Sequence, residues 1–118
     1  MKRLSFLAIS ILVASAAFAS PSSNDKELVR RTLTEKTGVA YKGVFLEEIP
    51  VSAMDEALAD ATPQFKEKAR DLQKSMQPGD KLVFFSTNPG SFKALEGRQG
   101  YAVVRGHSVP KVLYTVMN

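Results

Sequence analysis

The chain is 118 residues long and carries 16 Lys and Arg against 12 Asp and Glu, with one His, no Cys and no Trp. Such a length supports one small domain at most, and the missing Cys excludes a disulfide scaffold and thiol catalysis. The formal charge of +4 overstates the basic character: with residues 1–19 removed, 14 basic face 12 acidic side chains, net +2, over the remaining 99 residues.

Residues 1–19 read as an export signal because the three parts such a signal needs stand in order. Lys2 and Arg3 form a basic start, Leu4 to Val13 is apolar apart from Ser5 and Ser10, and Ala17-Phe18-Ala19 places small residues where a peptidase needs them. Cleavage is expected after Ala19. The apolar run is shorter than the roughly 20 residues that span a bilayer, and no Cys follows it to accept a lipid. The mature chain is therefore expected to be a soluble periplasmic protein without a membrane anchor.

Residues 20–24 are small and polar and read as a flexible tail, leaving 25–118 as one domain. A first helix follows: Asn24 with Glu27 has capping-box spacing, Leu28, Val29 and Leu33 give an apolar stripe, and Gly38 ends it. Tyr41 to Val51 predicts a strand, with β-prone Val44, Phe45, Leu46 and Ile49 and with Pro50 limiting its end.

Over 53–76 the apolar positions Met54, Leu58, Ala61, Phe65, Ala69, Leu72 and Met76 share one helical stripe. Thr62-Pro63 interrupts it with a cap and first-turn pair, so a kink or two consecutive helices are expected. After a turn at 77–80, Lys81 to Thr87 predicts a strand whose Leu82-Val83-Phe84-Phe85 run does not alternate, as in a covered central strand. Asn88-Pro89-Gly90 then turns into a short helix from Ser91 to Glu96 with Phe92 and Leu95 inward. Strands at 101–105 and 111–117 close the chain as a hairpin through Gly106-His107-Ser108, with Pro110 at an edge or strand start.

The order α-β-α-β-α-β-β, with adjacent strands late in the chain, predicts an α+β domain: a four-stranded, mostly antiparallel sheet with helices on one face. Charge divides unevenly along it. Residues 20–80 carry net −2, whereas 81–118 carry Lys81, Lys93, Arg98, Arg105 and Lys111 against Glu96 alone, net +4.

No catalytic set converges in this pattern. His107, the one side chain that ordinarily titrates near neutrality, stands in a turn with no second His or Cys, and reads as a solvated turn residue. Glu47 and Glu48 are adjacent and so point to opposite faces of a strand. Ser86, Ser91 and Ser108 lack a nucleophile motif, and neither a phosphate loop nor any cofactor or metal motif occurs. Ser91 with Lys93 and Arg98 at a helix start would suit an anion, although a capped turn accounts for the same residue types. Lys93, Arg98, Arg105 and Lys111 are the candidate basic patch. Without interleaved aromatics, and in an exported chain, it points to an acidic protein partner or envelope polyanion rather than nucleic acid.

The segment Phe85-Ser86-Thr87-Asn88-Pro89-Gly90-Ser91-Phe92-Lys93-Ala94-Leu95-Glu96-Gly97-Arg98-Gln99-Gly100-Tyr101-Ala102-Val103-Val104-Arg105-Gly106, with the ending Val116-Met117-Asn118, resembles small exported proteobacterial proteins. Phe92 stands where those have Trp, and Glu96 where they have Ala. The resemblance covers about a third of the chain and implies a folded periplasmic domain, bringing no catalytic residue with it.

The expected function is a non-enzymatic binding protein, such as an inhibitor or immunity-type partner of another protein, with Ser91, Lys93, Arg98, Arg105 and Lys111 as candidate contacts. The second expectation is a small apolar-ligand carrier with a pocket lined by Phe45, Phe65, Phe84, Phe85 and Tyr101. A His107-dependent enzyme comes last. A monomer, or a weak homodimer through an edge strand at Lys111–Met117, is the expected assembly.

Overall fold

The computed structural model describes residues 23–117. The export signal and its cleavage site lie outside the described residues. Helix α1 spans Ser23–Thr37, β1 Val44–Glu48, α2 Val51–Ala57, α3 Pro63–Lys74, β2 Lys81–Thr87, α4 Pro89–Lys93, β3 Arg98–Arg105 and β4 Ser108–Met117. The strands form one sheet in the order β1-β2-β3-β4, and each neighbouring pair is antiparallel.

Local signals explain most boundaries. Helix α1 begins at Ser23, so Asn24 lies inside it rather than capping it, and Glu27 pairs with Arg30 instead of reaching back. It ends at Gly38, whose φ of 79° suits a residue without Cβ and whose N–H donates to the Thr34 carbonyl at 2.8 Å. The Thr62-Pro63 interruption produces two helices: Thr62 Oγ1 accepts from the Phe65 N–H at 3.2 Å, and Pro63 occupies the first turn of α3. Strand β1 is shorter than 41–51, because Tyr41 turns its hydroxyl toward Glu96 and Pro50 already opens α2.

The helices cover both faces of the sheet, not one. On β2, Val83 and Phe85 join a core cluster with Val29 and Leu33 of α1, while Leu82 joins a second with Met54 of α2 and Ala69 and Leu72 of α3. Successive strand residues point to opposite faces, so these clusters lie on opposite sides of the sheet. Strand β3 divides the same way, Ala102 and Val104 going to α1 and Tyr101 and Val103 to α2 and α3. The unbroken apolar run on β2 is thereby accounted for.

Two departures lie near α4. The helix covers Pro89–Lys93 rather than 91–96, and Leu95 points outward, 73% exposed with φ of 62°. Glu96 N–H donates to the Ser91 carbonyl at 2.7 Å and Leu95 N–H to the Phe92 carbonyl at 3.1 Å, a helix end that places Leu95 where Gly is usual. The left-handed residue turns the chain back toward β3. Two glycines then permit close approach: a Cβ at Gly97 would sit 2.2 Å from the Phe92 ring, and one at Gly100 would sit 2.0 Å from the Leu113 carbonyl oxygen.

Candidate functional site

The five candidate contact residues do not form one site. Ser91 is buried in α4 beside Thr87, and Lys93 is exposed two residues on. Arg98 opens β3, whereas Lys111 pairs with Val103 five residues further along, about 17 Å at the rise of an extended strand. Arg105 closes β3.

Ser91 does not cap α4. Its hydroxyl donates to the Asn88 carbonyl at 2.6 Å and stands 2.7 Å from Thr87 Oγ1, which accepts the Arg98 N–H at 3.0 Å. With the Ser91 hydrogen committed to Asn88, Thr87 is the donor to Ser91. The hydroxyls therefore tie the end of β2 to the start of β3, and they are not presented to an external anion.

Arg105 is an internal tie. Its Nε donates to Asp80 Oδ1 at 3.0 Å and its Nη2 to Asp80 Oδ2 at 2.8 Å and to the Ser75 carbonyl at 3.2 Å, joining β3 to the turn after α3. The Arg105 hydrogen bonds, with help from the Gln77 N–H, hold the Asp80 carboxyl below the usual range. A second tie joins Lys81 Nζ of β2 to Asp25 Oδ2 of α1 at 2.9 Å, and that hydrogen bond raises the Lys81 pKa. The basic half of the sequence thus meets the acidic half inside the fold, and the charge polarity is in part internal stitching.

His107 is exposed in the β3–β4 turn beside a groove of about 430 Å³ shared with Leu28, Arg31 and Glu35 of α1. No group of three or more His, Cys, Asp or Glu side chains is placed to hold a metal ion among the described residues. The proposed carrier pocket is not assembled. Phe45, Phe84 and Tyr101 stack edge-on across one face, at centroid distances of 6.4 and 5.7 Å, whereas Phe85 lies on the other face against Tyr114. Phe65 is half-buried on α3.

Phe45, expected among pocket-lining aromatics, is instead a surface residue. It is 58% exposed on edge strand β1, at the open end of the aromatic row whose inner end, Tyr101, is buried. The available signal was its place beside Glu47 and Glu48 in a short strand, but that pattern alone does not assign the strand to an edge. Comparison with protein-family models, with curated proteins and with solved structures finds no match. Among the described residues no helix is long and apolar enough to cross a membrane.

Proposed function

We propose that this is a non-enzymatic periplasmic protein that binds another protein, in the manner of an inhibitor or immunity-type partner, after removal of residues 1–19. The observation that carries the reading is Phe45. A large aromatic left 58% exposed on a domain of this size is the kind of anchor protein interfaces use. The resemblance of the C-terminal segment to small exported proteins supports the same location.

Less of the basic patch is available to an acidic partner, since Arg105 pairs with Asp80 and Arg98 and Lys111 stand apart along the sheet. The carrier reading requires aromatics that the sheet puts on opposite faces. Capture with the mature chain from a periplasmic extract at physiological salt, read by mass spectrometry, tests the proposal. Recovery of one stoichiometric protein is expected, and recovery of none overturns it.

A further inference from the structure

The two edges of the sheet are unlike. Strand β4 has register shifts against β3 at Gln99/Gly100 and at Val103/Arg105, and it carries Pro110 and Lys111. Bulges, proline and lysine are the features that keep an edge from pairing with another strand. Strand β1 has no proline, lysine or register shift in its pairing with β2, and only its five-residue length and the acids Glu47 and Glu48 guard it, which leaves it open to a basic strand.

The free groups of β1 follow from its register. Ile49 N–H donates to the Leu82 carbonyl at 2.9 Å, and Asn88 N–H to the Gly43 carbonyl at 3.2 Å. In an antiparallel pair the bonded positions alternate, so Gly43, Phe45, Glu47 and Ile49 face β2, and Val44, Leu46 and Glu48 direct N–H and C=O outward. No described hydrogen bond reaches those outward groups.

We infer that the outer edge of β1 is a strand-addition site for an extended, basic and apolar segment of another protein, antiparallel to β1, with Phe45 as its anchor. The inference rests on the protein-binding reading above and names its surface and the chemistry of its partner. Residues 45 and 47 lie on the α2–α3 face and 46 and 48 on the α1 face, so a strand laid beside β1 meets Glu48, Glu47, Leu46 and Phe45 in turn. Among the described residues neither Glu47 nor Glu48 forms a direct ion pair, and Glu48 acts on Lys81 only through space, behind that cation's contact with Asp25. The complementary segment reads, from its N-terminus, basic, basic, any residue, apolar. A second copy supplies no cation to these acids: two β1 strands paired antiparallel about Leu46 set Glu47 against Phe45 and Glu48 against Val44, leaving all four carboxylates without a basic partner, and the β4 edge carries bulges and Pro110.

The test is an amide NMR titration of the mature protein with a capped hexapeptide, Thr-Arg-Lys-Thr-Val-Thr, and with a control in which Glu replaces Arg and Lys. Saturable shifts centred on Val44, Leu46 and Glu48 are expected with the basic peptide alone. Phe45→Ala should weaken binding about tenfold, and Glu47→Lys with Glu48→Lys about fivefold while transferring preference to the acidic control. Val44→Pro removes an outward donor without touching the ladder to β2, and should abolish the shifts. Absence of saturable shifts at β1 up to several millimolar peptide, shifts centred elsewhere, or equal binding of the control overturns the inference. If Phe45→Ala and the charge reversal leave partner capture unchanged, the β1 assignment falls and the protein-binding reading stands; if wild type captures nothing, the reading itself falls.

Discussion

Thr87 Oγ1 and Ser91 Oγ lie 2.7 Å apart, both buried, and their hydrogens run in one direction, from the Arg98 N–H through Thr87 and Ser91 to the Asn88 carbonyl. Thr87→Val removes the acceptor of a part-buried N–H and the donor to Ser91, and should destabilise by about 1–3 kcal/mol. Ser91→Ala should lower stability in the same range. Urea unfolding midpoints at constant slope check both, and an unchanged midpoint for Thr87→Val would show that this chain of bonds contributes nothing.

The Arg105–Asp80 pair predicts an acid dependence. Asp80 has a folded pKa below its unfolded value of about 3.9, so its contribution is fully present above that value and is lost as pH falls through the lower folded value. Thermal midpoints should therefore fall below about pH 4, and Asp80→Asn should flatten that part of the profile. Equal slopes for wild type and variant would remove Asp80 from the account.

Gly97 and Gly100 should differ in their tolerance of Ala. At Gly97 the obstacle is the Phe92 ring, which can rotate away, so a loss of about 1–3 kcal/mol is expected, recovered in part by Phe92→Leu. At Gly100 the obstacle is the Leu113 carbonyl, which is backbone, so Gly100→Ala should open the β3–β4 pairing and cost more. Denaturant melts of the two variants give the order directly.

Phe85 and Phe45, one strand apart, should separate packing from surface. Phe85 is fully buried, and Phe85→Ala should cost about 3–5 kcal/mol. Phe45→Ala should change stability by about 0.5 kcal/mol or less. A large loss at Phe45 would mean that the residue holds the sheet together rather than meeting a partner.

Much of the fold was legible where a local cause acts alone. Thr62-Pro63 split a helix because a cap and a first-turn proline need nothing from the rest of the chain, and Gly38 ended α1 for the same reason. The unbroken Leu82–Phe85 run already required cover on both faces, which is incompatible with helices on one, and the Tyr101–Val104 run on β3 carries the same signal. Pairings distant in sequence were not legible: Asp25 meets Lys81 across 56 residues and Asp80 meets Arg105 across 25, so nothing local marked these charges as paired. Leu95 was misplaced because its apolar side chain gives no sign of a left-handed helix end. The exposure of Phe45 likewise depended on strand order.

Residue-resolved amide hydrogen exchange along β1 tests the open edge most directly. In the mature protein alone, Phe45, Glu47 and Ile49 should exchange slowly and Leu46 and Glu48 rapidly, and the latter two should become protected when the basic peptide or a captured partner is bound. If Leu46 and Glu48 are already as protected as their neighbours in the free protein, the edge is occupied without a partner and the account is contradicted.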